Sequence, residues 1–382
     1  MTEMVRTSAG DPVGLHSCDA RRFQLPFRRQ VILPVLAFVT VSCSAAGAND
    51  WEDLYMAHFA GVTDIPGLKA RGINVVLQNV THDPANWRAL YDAAVKQKIR
   101  LIPILWGVDQ AAWQWDAKQR EWELDIGKYP DGVGPKFLQF LRSDARYLAA
   151  TFALYSFHEP HNPETSEGMV DAERLRKFWR QIHEELFPGN RLKIYGESVA
   201  WHRDCRNGCV DYDALSLYPF ATVKGESRYR PLHWAGGKGI GGMQIWPGPP
   251  TADRERAMEN GRSVIDRFHQ SISTAPAAPD GSRTKIIVLI QTYAIDGRAD
   301  LWNRMPTAQE MVDWGGRVAG ERKRKLAGMS WYCYRKAAAF YSRCLADERR
   351  DETGRDRLEA VEEVGRLLLG NTAPAASAGP EP

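Results

Sequence analysis

Residues 73–106, INVVLQNVTHDPANWRALYDAAVKQKIRLIPILW, contain the pattern that decides the fold. Two short apolar runs, 73–78 and 100–106, stand on either side of an amphipathic segment, 84–97. The apolar side chains of that segment recur at helical spacing on one face: Trp87, Leu90, Ala94 and Val95. This order of strand, helix and strand predicts a βα unit of a parallel sheet.

The same alternation extends over most of the chain. Eight apolar runs predict eight strands: 54–59, 73–78, 100–106, 151–157, 192–195, 214–218, 285–291 and 328–332. Four amphipathic segments predict helices: 84–97, 171–186, 253–271 and 307–323. The last begins at Thr307 with Glu310 three residues later, which is the signature of a capping box. Several runs are apolar at nearly every position, as in strands that are buried on both faces.

Eight such strands favour a closed barrel over an open sheet. No glycine-rich phosphate loop follows the first run, and open doubly wound sheets usually have fewer strands. The predicted fold is therefore α/β, a single (β/α)₈ TIM barrel that spans residues 49–370 as one domain. The composition of residues 371–382 predicts a disordered tail.

The first 48 residues have the features of an export signal with an extended start. A basic region with Arg21, Arg22, Arg28 and Arg29 precedes the apolar run 31–41, and the triplet Ala46-Gly47-Ala48 offers small residues to a signal peptidase. The run is too short to span a bilayer comfortably, so we expect a secreted or periplasmic protein with no membrane span. The segment Arg28-Arg29-Gln30-Val31-Ile32 resembles a twin-arginine signal, and this type of export signal stays open as an alternative. A lipid anchor at Cys43 is a weaker one, because Thr40 stands where such signals usually carry Leu.

Charge and cysteine content agree with export. The net charge is +3 and the basic residues are scattered, so we expect no nucleic-acid partner. Removal of residues 1–48 would leave four cysteines: Cys205, Cys209, Cys333 and Cys344. An even number fits two disulfides in an oxidising compartment. The alternative for Cys205 and Cys209 is half of a zinc site, but no matching pair completes it, and we favour a disulfide there.

The residues that close the predicted strands combine polar groups with large aromatic rings. In a barrel these positions form the active site. The candidate substrate-binding residues are His58, Gln78, Asn79, Trp106, His158, Asn162, Tyr218, Gln291, Tyr293 and Trp331. Sugars require this mixture, because their hydroxyls need donors and acceptors while the apolar face of a pyranose packs on a ring. The sequence therefore predicts a carbohydrate ligand, with Trp331 facing the cleft.

Glu159 ends the fourth run within Phe157-His158-Glu159-Pro160-His161-Asn162. A glutamate beside a buried strand needs a partner or a function. This segment resembles the Asn-Glu-Pro motif that ends the fourth strand in the large clan of retaining (β/α)₈ glycoside hydrolases. The stretches 213–219 and 328–332 are similar to the same clan. The resemblance implies a glycoside hydrolase in which Glu159 is the proton donor.

Two positions depart from the pattern of that clan. His158 stands where the clan has Asn, and the seventh strand ends in Gln291-Thr292-Tyr293 without the nucleophilic glutamate. The partner carboxylate is then Glu197, Asp296 or Asp109. Inversion, or a non-catalytic barrel that only binds glycan, are the alternatives that stay open.

Other chemistries have weaker support. His58, His82, His158 and His161 with Asp83 and Glu159 would be a possible metal site, but no His-x-x-x-His pair supports it. A serine hydrolase is disfavoured because the chain has no Gly-x-Ser-x-Gly elbow. We therefore expect neither a metal nor a cofactor.

Overall fold

The structure, a computed structural model, describes most of the chain from residue 52 onward. Its described ranges are 52–80, 83–104, 113–116, 121–124, 133–158, 192–198, 209–217, 221–222, 230–232, 244–246, 272–278, 281–294, 302–303, 305–321, 326–336 and 343–370, with single residues within 173–187 and 262–270. In several of these only the backbone is described: 113–116, 121–124, 133–135, 156–158, 198, 221–222, 230–232, 244–246 and 302–303. The chain divides into two units, Met1–Ala46 and Gly47–Pro382, and all described residues belong to the second.

One sheet of eight parallel strands forms the centre of this second unit. The strands are Leu54–His58 (β1), Val75–Asn79 (β2), Arg100–Ile104 (β3), Ala153–His158 (β4), Lys193–Ser198 (β5), Tyr212–Leu217 (β6), Lys285–Gln291 (β7) and Leu326–Tyr332 (β8). Each overlaps one predicted run, so all eight predicted strands are confirmed. Neighbours in the sheet are neighbours in the chain, except that β8 pairs with β1.

The sheet closes between its two outer strands. A parallel bridge joins Leu101 to Thr151, and the amide of Phe152 donates to the Leu101 carbonyl at 2.7 Å. Together with the pairing of β8 and β1, this contact makes the sheet a nearly closed barrel. The predicted TIM barrel is therefore confirmed.

Short antiparallel strands lie outside the barrel. They pair as Trp113–Asp116 with Glu121–Leu124, Ala221–Thr222 with Trp302–Asn303, Arg230–Leu232 with Gln244–Trp246, and Tyr293–Ala294 with Arg343–Cys344. The first of these pairs follows β3, and the last joins the segment after β7 to the segment after β8. These additions lie in the segments that connect strands, where a barrel carries its variable loops.

Residues along each strand alternate between two apolar layers. Leu54 and Met56 belong to the cluster that fills the barrel, and Tyr55 and Ala57 belong to the cluster between the barrel and its helices. This alternation follows from the two-residue period of a strand. It decides which side chains at the strand ends face the interior.

Helices cover the outside of the barrel. Their ranges are Ile65–Ala70, Pro84–Gln97, Val133–Ser143, Ala145–Ala150, Ala308–Glu321 and Arg357–Leu369. The predicted helix 84–97 is confirmed, and 307–323 is confirmed with slightly shorter bounds. Most residues of the predicted helices 171–186 and 253–271 lie outside the described part.

The predicted capping box is also confirmed. The amide of Thr307 donates to the Glu310 carboxylate at 2.8 Å, and the Glu310 amide donates to the Thr307 hydroxyl at 3.1 Å. This helix packs closely on the last one, because a Cβ on Gly315 would lie 2.4 Å from a methyl of Val364. A larger side chain at Gly315 would separate the two helices.

A charged cluster occupies the amino end of the barrel, and we call it the Glu52 cluster. The ammonium of Lys285 lies 2.5 Å from the Glu52 carboxylate, that of Lys193 lies 3.5 Å away, and the Tyr212 hydroxyl also donates to Glu52. Burial raises the pKa of Glu52, but the hydrogen bonds from Lys285 and Tyr212 outweigh it and the pKa lies below its ordinary value. The carboxylate is thus ionised and compensated by cations.

A disulfide between Cys333 and Cys344 joins the end of β8 to the segment that follows it. The Cα atoms are 5.8 Å apart, and both side chains are fully buried in the inner cluster. Cys209 is also disulfide-bonded, whereas Cys205 lies outside the described residues. These bonds agree with the prediction from the cysteine count. The export signal and the tail 371–382 also lie outside the described part.

In the described part of the chain, no helix is both long and apolar enough to cross a bilayer.

Candidate active site

The carboxyl ends of the barrel strands bring one carboxylate into a group of aromatic and polar side chains. Glu197 comes from β5, and its residue is 6% exposed. The Tyr155 hydroxyl, from β4, donates to Oε2 of Glu197 at 2.6 Å. Nδ1 of His58, from β1, lies 3.7 Å from the other carboxylate oxygen, Oε1. Three strands that are distant in sequence therefore meet at Glu197.

His58 is fully buried and surrounded by rings. Its ring makes edge contacts with those of Phe59, Tyr195 and Tyr332, at centroid distances of 5.9, 6.4 and 5.3 Å. Burial lowers the pKa of His58 to about 4, although the charge of Glu197 opposes that change. The imidazole is therefore neutral at physiological pH, so one ring nitrogen is a donor and the other an acceptor.

Tyr195 completes the group from the same strand as Glu197. Its hydroxyl lies 3.4 Å from Nε2 of His58, and its ring is 5.7 Å from that of Tyr155. Burial, followed by the charges of Glu197 and Asp213, raises the pKa of Tyr195 well above its ordinary value. The hydroxyl therefore keeps its proton.

Strand pairing brings the backbone beside Glu159 close to this group. Cα of His158 pairs with Cα of Glu197 in the parallel ladder between β4 and β5. Glu159 is the next residue in the chain and lies outside the described residues, as does the side chain of His158. Of the three carboxylates proposed as the partner of Glu159, Glu197 lies in the described part, whereas Asp109 and Asp296 do not.

Several predicted binding residues do lie at this end of the barrel. Gln291 is fully buried, and its amide nitrogen donates to the Tyr293 carbonyl at 2.9 Å. The ring of Tyr293 packs edge-on against Tyr332 at 5.7 Å. Gln78 and Asn79 end β2, and the side-chain oxygens of both are buried with no hydrogen-bond partner among the described residues. Unsatisfied buried acceptors of this kind suit a ligand with hydroxyl donors.

Trp331 requires a correction. We expected it to face the cleft, but its side chain is fully buried in the cluster between barrel and helices. Its indole N–H donates to the Tyr55 hydroxyl at 2.6 Å, and that hydroxyl donates to the Val361 carbonyl of the last helix at 2.6 Å. The aromatic residue of β8 that belongs to the inner cluster is Tyr332, one position later.

Sequence reasoning found Tyr293 but missed three other tyrosines of the site. Tyr155, Tyr195 and Tyr332 belong to the inner cluster, and the first two flank Glu197. One local signal was available for Tyr195, because it lies two residues before Glu197 and must share its face of the strand. Tyr155 had no such signal, since its contact with Glu197 depends on how β4 pairs with β5.

Six of the predicted site residues lie outside the described part: Trp106, Asp109, Glu159, Asn162, Tyr218 and Asp296. The described residues contain no group of three or more His, Cys, Asp or Glu side chains that would hold a metal ion. Asp83, from the alternative metal set, accepts from the Ala85 amide at 2.9 Å and caps the helix Pro84–Gln97. His82 and His161 lie outside the described residues.

No protein-family model matches the chain, and no curated protein matches it significantly in sequence. Solved structures of similar fold include glycoside hydrolases. A glucosidase from Croceicoccus marinus is 8% identical over 83% of this chain and 68% of its own, with a TM-score of 0.49. A family 17 β-1,3-glucanosyltransferase from Rhizomucor miehei is 11% identical over 74% and 86%, with a TM-score of 0.42. A group IV chitinase from Ostrinia furnacalis is 10% identical over 83% and 98%, with a TM-score of 0.45. Identities this low do not transfer an activity.

Proposed function

We propose that this chain is a glycoside hydrolase whose two catalytic carboxyl groups belong to Glu159 and Glu197. One observation carries the proposal. Glu197 is a buried carboxylate at the carboxyl end of a barrel strand, and its Cα pairs with that of His158, the residue before Glu159. Active sites of such barrels lie at this end, and a buried carboxyl group there needs a partner or a function.

The two carboxyl groups take different roles in bond cleavage. Glu159, as the acid, donates its proton to the glycosidic oxygen, which leaves with the bonding electron pair as an alcohol. Glu197 supplies the negative charge on the opposite side. It either bonds to the anomeric carbon and is later displaced by water, or takes a proton from the water that attacks directly. A separation of about 5–5.5 Å between the carboxyls goes with the first course and about 6.5–9.5 Å with the second.

The surrounding side chains suit a sugar. We assign the stacking role that we expected of Trp331 to Tyr332, whose ring belongs to the inner cluster. Asn79 offers a buried acceptor oxygen at the end of β2, and Gln291 lies at the end of β7. Rings and fixed hydrogen-bonding groups together are what a pyranose requires for orientation.

The test replaces each carboxyl group by its amide. Glu159→Gln should lower turnover by roughly 10²- to 10⁴-fold with a small change in KM. Glycosides with a good leaving group should be affected less, because their leaving oxygen needs little protonation. Glu197→Gln should slow substrates with good and poor leaving groups alike. Glu363→Gln is the matched control, because Glu363 lies on the helix Arg357–Leu369 outside the barrel and pairs with Arg355.

Two results would count against this assignment. Full activity in Glu159→Gln would remove it as the acid. Full activity in Glu197→Gln, with loss of activity in Asp296→Asn, would transfer the second role to Asp296. A wild-type chain that binds glycans but releases no sugar from any of a broad panel of poly- and oligosaccharides would favour the glycan-binding barrel.

We also propose that the protein is exported and cleaved after Ala48. The buried disulfide Cys333–Cys344 supports an oxidising compartment. Mass spectrometry of the exported protein should give Asn49 as the first residue and no thiol that alkylates before reduction. An intact amino terminus, or lipid on Cys43, would contradict cleavage at this site.

A further inference from the structure

We propose that Tyr155 and His58 are positioning residues that hold the Glu197 carboxylate in one orientation and in its ionised form. The inference rests on the proposed function, because it explains how Glu197 is prepared for its role. Each of the two residues contacts a different carboxylate oxygen, and each comes from a strand other than that of Glu197.

The contact from Tyr155 is the stronger of the two. Its hydroxyl lies 2.6 Å from Oε2 of Glu197, and a carboxylate can only accept in such a bond. A short hydrogen bond to a charged acceptor stabilises the ionised form relative to the protonated one. The Tyr155 ring is 3% exposed and packs against Tyr195, so the hydroxyl is held in place.

The contact from His58 depends on its tautomer. The neutral imidazole has one N–H, and the nitrogen that faces the acceptor-only carboxylate is Nδ1. The tautomer with hydrogen on Nδ1 directs this hydrogen toward Oε1 of Glu197, leaving Nε2 to accept from Tyr195. At 3.7 Å the first contact orients the carboxylate electrostatically rather than as a full hydrogen bond.

These contacts form one directed series. The hydroxyl of Tyr195 donates to His58, the imidazole points its hydrogen at one oxygen of Glu197, and Tyr155 donates to the other oxygen. Rotation of the carboxylate would break both contacts at once. A charge that is held in advance of the reaction does not have to be reoriented during it.

The test measures the titration of Glu197 directly. Protein labelled with ¹³C at the glutamate carboxyl carbon gives an NMR signal that is assigned by its disappearance in Glu197→Gln. In Tyr155→Phe the apparent pKa of Glu197 should rise by about one to two units, because a hydrogen bond to the charged form is lost. The matched control is Tyr147→Phe, since the Tyr147 hydroxyl donates to the Asp92 carboxylate at 2.7 Å outside the barrel interior.

Two substitutions of His58 supply an independent test. His58→Asn places an amide N–H near the position of Nδ1 and should retain most of the effect on Glu197. His58→Leu removes both ring nitrogens and should raise the pKa of Glu197 further than His58→Asn does. This ordering would not follow from packing alone, and it remains available should Tyr155→Phe fail to fold.

Kinetics give the second measurement. Tyr155→Phe should lower kcat by about 10- to 100-fold with KM nearly kept, and the acid limb of the pH profile should move upward with the NMR titration. An unchanged Glu197 titration in a folded Tyr155→Phe protein, or equal titrations in the two His58 variants, would overturn the proposal. A shifted titration in a chain that hydrolyses no glycoside would leave the positioning role intact and reject the proposed function instead.

Discussion

A glutamate stands at each end of the barrel interior, and its surroundings differ between the two ends. Glu52, at the amino end, lies beside the ammonium groups of Lys285 and Lys193. Glu197, at the carboxyl end, accepts from the Tyr155 hydroxyl and lies beside the neutral ring of His58. The cations at Glu52 compensate its charge, while Tyr155 and His58 orient the charge of Glu197 without adding a positive one.

This difference suits two different purposes. At the amino end, the ammonium groups of Lys285 and Lys193 and the Tyr212 hydroxyl join the starts of several strands to one carboxylate. A carboxylate whose neighbours are neutral donors keeps an uncompensated negative charge. In the proposed reaction, that charge would stabilise the positive charge that develops on the sugar ring. The comparison predicts that the amino end affects stability and the carboxyl end affects activity.

The strongest challenge to this comparison is the same substitution at both ends. Glu197→Gln should lower kcat/KM by roughly 10²- to 10⁴-fold while the melting temperature changes little. Glu52→Gln should leave kcat/KM nearly unchanged and reduce the free energy of unfolding by about 1–3 kcal/mol, because the ammonium groups of Lys285 and Lys193 lose the negative charge that compensates them. Turnover and denaturant unfolding of both variants measure the two effects. Equal losses of activity at the two ends would contradict the comparison.

The second prediction distinguishes Tyr332, in the inner cluster, from Trp331, in the cluster between the barrel and its helices. Trp331→Ala should reduce the free energy of unfolding by about 3–5 kcal/mol, because it leaves a cavity beside Tyr55 and the last helix. Tyr332→Ala should act mainly on the affinity for oligosaccharide. Denaturant unfolding and binding titrations on both variants test this division. Weakened binding with normal stability in Trp331→Ala would return the stacking role to that residue.

The third prediction is that the stability of the protein depends on pH through His58. His58 has a pKa of about 4 in the folded protein and an ordinary value of 6.5. Between these values the unfolded chain binds more protons, so stability is full above pH 6.5 and falls as the pH is lowered toward 4. The loss amounts to about 3 kcal/mol at its limit. The groups that face this ring are Glu197, Tyr195 and Tyr332.

The variant His58→Asn should lack this part of the pH dependence. Glu52 acts in a different window, because its pKa lies below the ordinary value of 4.5 and its contribution is lost only as the pH falls below that value. Unfolding of the wild type, His58→Asn and Glu52→Gln between pH 3 and 8 separates the two. If the free energy of unfolding changes with pH above 4.5 as steeply in His58→Asn as in the wild type, the His58 ring is not the group that titrates.

The smallest expected loss of stability comes from a substitution at the amino end. Tyr212→Phe removes the hydroxyl that contacts both Glu52 and Lys193, and burial together with Glu52 raises the pKa of Tyr212 above its ordinary value. The free energy of unfolding should fall by about 1 kcal/mol with normal turnover, since the lysines still compensate Glu52. If turnover in Tyr212→Phe fell as much as in Tyr155→Phe, the amino end would also affect activity, and the difference between the two ends would not hold.

The barrel itself could be predicted because its signal is local. Each of the eight strands is an apolar run in the sequence, and the helices beginning at Pro84 and Ala308 show helical spacing. The capping box at Thr307 and Glu310 depends on residues only three apart. Glu197 could be proposed as one of three carboxylates because it follows the fifth run, and that position places it at the carboxyl end of the barrel.

The sequence does not show in the same way which face of a strand a residue occupies. Trp331 and Tyr332 are adjacent and both aromatic, and β8 is buried on both faces, so hydropathy does not distinguish inside from outside. The pairing of Ala57 with Trp331 and of Met56 with Ser330 sets this phase, and it assigns Trp331 to the helix layer.

The sequence by itself determined that this chain forms a βα barrel with polar and aromatic residues at the strand ends, because hydrophobic periodicity is a property of neighbouring residues. Only the tertiary structure decided that Glu197 meets Tyr155, 42 residues earlier, and His58, from the first strand. The physical reason is that strand register and barrel closure join residues distant in the chain, and a shift of one residue would turn each of these side chains to the opposite face.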